Sequence, residues 1–215
     1  MIDNIDLSKI KGVIFDMDGT MVDNMMVHHR AWQNQLKKMG LSLSLEQVRQ
    51  EIHGINEEIL ARLFGDELSN EQIKHYAGEK EAEYRRIFKP ELKLIGGLED
   101  YITSLKARGV KLAIGSAAPS ENVDFVLDNL NLRHLFEVIM HAGDVQKGKP
   151  DPEIYQLIMN KLALKPQQCV IFEDSPTGAE AAVRSGAHTV VITTTHSQEE
   201  FSHLKEIQSF IKNYH

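Results

Sequence analysis

The sequence holds one cysteine, Cys169, in 215 residues. That excludes an intrachain disulfide and any multi-cysteine zinc site. Cys169 opens the apolar run Cys169-Val170-Ile171-Phe172, where a buried, inert thiol is expected. No apolar stretch approaches the roughly 20 residues that span a bilayer, so no membrane partner is expected. Basic residues are in the minority: 24 Lys+Arg against 31 Asp+Glu give a net charge of −7. Without a basic stripe such a chain repels phosphate backbones, so no nucleic-acid partner is expected either. With 14 Gly and 6 Pro the chain is not collagen-like or low-complexity, and 42% hydrophobic residues rules out disorder. The opening Met1-Ile2-Asp3-Asn4-Ile5-Asp6 is acidic where a signal peptide is basic, which points to a cytoplasmic protein.

What the chain does have is alternation. Residues 13–15, 111–115, 138–140, 170–172 and 190–192 are short apolar runs rich in β-branched and aromatic side chains. They read as strands buried on both faces, the habit of parallel sheets. Residues 98–107, 120–130, 152–162 and 177–185 have helical spacing and stop at Gly109, Asn131 or Gly186. The pattern predicts an α/β fold, a doubly wound, Rossmann-like parallel sheet with ligands at the strands' carboxyl ends. Residues 24–92 break the alternation, with helix signals only. Asn24 can cap a helix that Gly40 ends, Ser44 with Gln47 and Ser69 with Gln72 fit capping boxes, and Pro90 closes the last helix. The expected organisation is a catalytic core, 1–23 and 93–215, with an all-helical cap domain, 24–92, inserted over the sheet edge and hinged near Asn24 and Leu92. After Thr195, the spacing of Phe201, Leu204, Ile207, Phe210 and Ile211 predicts a further helix packed on the sheet.

The chemistry-bearing residues fall at predicted strand ends. The first strand runs into Phe15-Asp16-Met17-Asp18-Gly19-Thr20, and side chains two apart on an extended segment share a direction. A calcium loop is excluded, because an EF-hand needs its glycine sixth and a Glu twelfth, after a helix. Two carboxylates at the mouth of a buried strand call for a cation or a proton. Ser116 follows the second strand, Glu173-Asp174 follows the fourth, and Lys149 precedes Pro150-Asp151-Pro152. Taken singly, these could be a helix cap, a polar turn and a solvated charge. Their convergence on one edge makes them a candidate site. Residues 143–150 nearly spell a P-loop, but Pro150 stands where a metal-binding Ser or Thr is required, so that reading is rejected.

These motifs, in this order, resemble the haloacid dehalogenase superfamily of phosphoryl-transfer enzymes, closest to the branch of β-phosphoglucomutase and its phosphatase relatives. The resemblance covers nearly the whole chain. It implies Asp16 as nucleophile and Asp18 as general acid/base, with Gly19, Thr20, Ser116, Ala117 and Lys149 around the phosphoryl group. It implies Mg²⁺ held by Asp16, Asp18 (through its carbonyl), Glu173 and Asp174, and a small phosphate ester as substrate for a monomeric enzyme. His28 and Lys80 in the helical insert would meet the substrate, with a surface histidine and a solvated helix charge as the alternatives. Trp32 reads as cap core. Dehalogenation in the superfamily uses an aspartate without a second carboxylate two residues on, so Asp18 indicates phosphorus chemistry. Where the mutase has an arginine for a second phosphate, Gly54-Ile55-Asn56-Glu57 offers Glu57, and Ala117-Ala118-Pro119 replaces the polar residues expected after Ser116. Both departures favour a phosphatase over a mutase; a non-catalytic scaffold is the third possibility.

Overall fold

The computed structural model describes residues 5–52 and 54–215, so residues 1–4 of the acidic opening lie outside it. The chain divides into two compact units, Met1–Asp23 with Lys93–His215 and, inserted between them, Asn24–Leu92.

Strand β1 (Gly12–Phe15) is buried along its whole length. The chain then passes into the helical unit: α1 (Met25–Lys38), α2 (Leu45–Glu51), α3 (Asn56–Phe64) and α4 (Asn70–Phe88). Ser44 and Ser69 each accept from the third helical N–H, and Gln47 and Gln72 return the bond, so both predicted capping boxes are formed. Asn24 holds the cap position of α1 without making the side-chain bond expected of it. Its amide donates to Tyr84 Oη at 2.5 Å instead, a longer-range partner on α4. Apolar side chains at helical spacing close this unit's core, with Trp32, Leu36, Val48, Ile59, Leu60 and Ile73 buried together.

After Lys93 the chain resumes strand–helix alternation with α5 (Leu98–Ala107), β2 (Lys111–Gly115), α6 (Ser120–Asn129), β3 (Val138–Met140), α7 (Glu153–Leu162), β4 (Cys169–Glu173), α8 (Pro176–Arg184), β5 (His188–Ile192) and β6 (Ser209–Ile211). All pairings are parallel, in the order β3-β2-β1-β4-β5-β6. This is the doubly wound α/β core that the alternation predicts. Ile14, Ala113 and Ile171 turn one face of the sheet toward Tyr155 and Ile158 of α7 and Ala181 of α8. Phe15 and Phe172, one residue along, turn to the other face and stack with centroids 5.2 Å apart. Cys169 is buried and free. Among the described residues no helix is long and apolar enough to cross a membrane.

The helix expected after Thr195 is not formed. The segment makes a short 3₁₀ turn, Gln198–Phe201, and then strand β6, which pairs with β5. The apolar residues face the core as their spacing implies: Phe201 packs with Ala179 and Val191, and Leu204, Ile207 and Phe210 gather against them. The open edge of β5 decides the conformation, because its unpaired backbone groups gain partners from a strand and none from a helix.

Candidate active site

Three strands end side by side and set the predicted residues along one edge. β1 lies between β2 and β4, with Phe15 opposite both Ile114 and Phe172. One residue on, the Asp16 N–H donates to Phe172 O at 3.0 Å, and the Ser116 N–H donates to Met140 O at 3.0 Å. Asp16, Ser116 and Glu173 therefore leave the sheet at neighbouring carboxyl ends, the usual place for a ligand in this architecture.

Asp16, Glu173 and Asp174 are buried, with one carboxylate oxygen of each within 4.8 Å of the others. The Lys149 ammonium donates to Asp16 Oδ1 and to Glu173 Oε1, both at 2.6 Å. Burial pushes the Asp16 carboxyl above its usual range, with Glu173 and Asp174 adding to the shift and Lys149 opposing it. Burial, then the Glu173 charge, pushes Asp174 up to about 8. Burial would lower Lys149, but Asp16 and Glu173 outweigh it and hold the ammonium charged. Three carboxylates around one ammonium leave surplus negative charge that a proton or a cation must offset. A buried set of oxygen donors fits a hard divalent ion, so the residues present suit magnesium.

The loop after Asp16 is a tight turn. The Met21 and Val22 N–H groups both donate to Met17 O, and Gly19 N–H donates to Val22 O. Gly19 has φ +74, and a Cβ there would run into the Asp174 carboxylate, so glycine is needed on both counts. Asp18 is half-buried, paired by a β-bridge to Val22, and stands outside the three-carboxylate group. Its charge nonetheless adds to the upward shift of Asp174. Thr20 is buried, and its hydroxyl lacks a hydrogen-bond partner. Ser116 is buried with Oγ accepting from Ala118 N–H at 3.1 Å, and Ala117 is exposed between them. No helix follows Lys149 directly; α7 begins only at Glu153, so the helix start that a P-loop needs just after its lysine is missing.

The other two candidates belong to the helical unit. Lys80 is 2% exposed, which overturns the solvated-charge alternative. Its ammonium lies 2.9 Å from His28 Nδ1, donates to Glu81 Oε1 at 2.8 Å, and sits 5.5 Å from the centre of the Trp32 ring. The His28 ring stacks on Tyr84 at 3.9 Å. Burial and the Lys80 charge push the His28 imidazole well below its ordinary value, so it is neutral. Burial alone would raise Glu81, but the Lys80 ammonium and the Asn56 amide hold it down to about 2.

Several contacts were not visible in the sequence. Tyr155 on α7 donates to Glu173 Oε1 at 2.7 Å, and its ring lies 5.0 Å beneath the Lys149 ammonium. Glu173 Oε2 accepts from the Asp174 N–H at 3.1 Å and the Ser175 N–H at 3.3 Å. After β5, Thr195 donates to the Asp174 carboxylate and Thr194 to Gly19 O. The one available signal was Tyr155, a polar tip in the otherwise apolar stripe of α7.

The model of haloacid dehalogenase-like hydrolases matches residues 13–192. The chain belongs to that family. It is therefore an enzyme of the haloacid dehalogenase-like hydrolases, and the matched span takes in Asp16, Asp18, Ser116, Lys149, Glu173 and Asp174. A phosphorylated carbohydrates phosphatase of Thermotoga maritima is 29% identical over 84% of this chain and 84% of its own length. Among solved structures, a family IA, variant 3 hydrolase from Entamoeba histolytica is 26% identical with a TM-score of 0.87, covering 95% of this chain and 94% of that one. A β-phosphoglucomutase from Clostridium difficile is 26% identical with a TM-score of 0.79, covering 95% and 92%. The family match ends at Ile192, so the contacts from Thr194, Thr195 and the segment beyond lie outside it.

Proposed function

We propose that this enzyme is a magnesium-dependent phosphatase that hydrolyses small phosphorylated sugars through a phosphoaspartate on Asp16. The observation that carries the reading is the buried Asp16 carboxylate, held by Lys149 at 2.6 Å beside Glu173 and Asp174. Asp16, Glu173 and Asp174 would hold the ion, with the Asp18 carbonyl added by the family resemblance. When bound, Mg²⁺ supplies a Lewis acid that offsets charge on the phosphoryl oxygens.

The residues of this chain account for the rest. An Asp16 oxygen attacks phosphorus, the bond to the ester oxygen breaks, and Asp18 gives that oxygen its proton. Asp18, now a carboxylate, takes a proton from water as the water oxygen attacks phosphorus. The bond to Asp16 breaks and inorganic phosphate leaves. Lys149 keeps its charge throughout and stabilises the transferring group, while Ser116, Ala117, Gly19 and Thr20 line its path.

The sugar assignment rests on the carbohydrate phosphatase relative. Glu57, exposed in the first turn of α3, stands where the resemblance to the mutase would call for an arginine. Likeness to the Clostridium difficile mutase supports the second reading, interconversion of β-glucose 1-phosphate and glucose 6-phosphate. The single cysteine, buried and free of any disulfide, suits a reducing, cytoplasmic location.

A screen of phosphorylated metabolites scored for released phosphate, with β-glucose 1-phosphate plus catalytic bisphosphate as one arm, tests the proposal. Phosphate release from sugar monophosphates is expected. Rapid formation of glucose 6-phosphate with little free phosphate would overturn it.

A further inference from the structure

The loop that carries Asp16 and Asp18 is braced from outside the family-matched span. Gly19 and Thr20 present successive backbone carbonyls; Thr194 donates its hydroxyl to the first, and Tyr214 donates to the second at 3.0 Å. The Tyr214 N–H donates to Gly96 O at 3.0 Å, and the Ile95 N–H donates to Met21 O at 2.9 Å. One residue therefore ties together the segment that leaves the α/β unit before Asn24 and the segment that re-enters it at Lys93.

The ring of Tyr214 is equally well placed. It lies 6.1 Å from Phe15 and 5.3 Å from Phe172, the residues just before Asp16 and Glu173, and stacks on Tyr101 at 5.6 Å. Gly97 makes room for the backbone at Tyr214: φ there is +82, and a Cβ would fall 2.7 Å from the Tyr214 carbonyl carbon. A merely space-filling aromatic needs neither the hydroxyl bond to Thr20 nor the backbone bond to Gly96.

We propose that Tyr214 is a positioning residue for phosphoryl transfer, its hydroxyl holding the Thr20 carbonyl so that the Asp16–Asp18 loop keeps its shape through turnover. This rests on the phosphatase reading for its rate consequence, though not for the tether itself. The Thr20 side-chain hydroxyl lacks a hydrogen-bond partner of its own, so this residue is held through its backbone groups. A loop that must present one carboxylate to phosphorus and a second to the leaving oxygen loses rate when its geometry widens.

Tyr214→Phe retains the ring and removes the donated hydrogen bond; Tyr214→Ala removes both. Turnover of the preferred phosphate ester should fall about three- to tenfold in the phenylalanine variant, the effect of one hydrogen bond, with KM within about twofold of wild type. Amide exchange at Thr20, Met21, Val22 and Ile95 should quicken while that of β1 and β4 stays unchanged. The alanine variant should lose more turnover, so that phenylalanine rescues part of it. Wild-type turnover or wild-type loop exchange in Tyr214→Phe overturns the proposal, as does a uniform rise in exchange across the sheet. A wild-type enzyme that releases phosphate from no ester would defeat the phosphatase reading, and loop exchange would still decide the tether.

Discussion

Replacing Lys149 by Met tests how the site balances its charge. The lysine side chain is 7% exposed, and its partners Asp16 and Glu173 are 8% and 0% exposed. Methionine fills similar space but leaves three carboxylates in a buried cluster without their ammonium. Breaking a buried ion pair on one side costs about 3–5 kcal/mol, because the surviving charge stays desolvated. In a domain of this size each kcal/mol moves the unfolding midpoint by about 2–4 °C, so a drop on the order of 10 °C is expected by scanning calorimetry. Turnover should fall about a hundred- to a thousandfold, the loss seen when one preorganised donor to a transition-state anion is removed. Mg²⁺ should raise the variant's midpoint more than the wild type's, since the ion would act on the same carboxylates. A variant that unfolds at the wild-type temperature and keeps more than a tenth of the rate would refute this electrostatic reasoning.

Asp16→Asn should abolish turnover with an unchanged circular dichroism spectrum; measurable activity in pure protein would show that the nucleophile lies elsewhere. Asp18→Asn should slow both formation and breakdown of the phosphoenzyme in rapid-quench experiments, and a defect in neither step would remove Asp18 from proton transfer. Chelated protein should show a distinct pH dependence. The folded chain keeps protons on Asp16 and Asp174, raised to about 8 in the latter, that the unfolded chain releases above about pH 4. Its stability should therefore fall as pH rises from about 4 to about 8, and the gap between chelated and Mg²⁺-loaded midpoints should widen over that window. Comparing the two forms cancels His28, which has the opposite slope near its ordinary value; a gap independent of pH would contradict the shifts. Glu81→Leu should destabilise the protein at neutral pH by leaving Lys80 buried without its carboxylate partner, and an unchanged midpoint would show that their 2.8 Å contact contributes little.

Much of the α/β core was legible because parallel strands buried on both faces have no polar alternation to obscure them. Val13-Ile14-Phe15 and Val170-Ile171-Phe172 announce themselves as runs, and each run's end marks where a carboxylate of the candidate site leaves the sheet. The two capping boxes were legible for a different reason, since both of their bonds are made within four residues. Long-range partners were not. Asn24 prefers Tyr84, sixty residues away, to its own helix. For Lys80 the sequence leaves a substrate contact and a solvated helix charge both open, and only the fold brings His28 and Glu81 to its ammonium. The residues from 198 to 211 have helical spacing, yet their backbone conformation depends on the open edge of β5, which no local pattern encodes. Tyr155, Thr195 and Tyr214 act through single hydroxyl groups brought in by topology, so their roles emerge only once the sheet is assembled.

The central claim is that Asp16 accepts the phosphoryl group. Acid quench of the Mg²⁺-loaded enzyme during turnover of a labelled sugar phosphate, followed by peptide mapping, tests it most directly. The account predicts an acid-stable, hydroxylamine-sensitive phosphoryl group on the peptide containing Asp16, absent from Asp16→Asn. Label on any other residue, or rapid hydrolysis without label on the protein at any time, would contradict it.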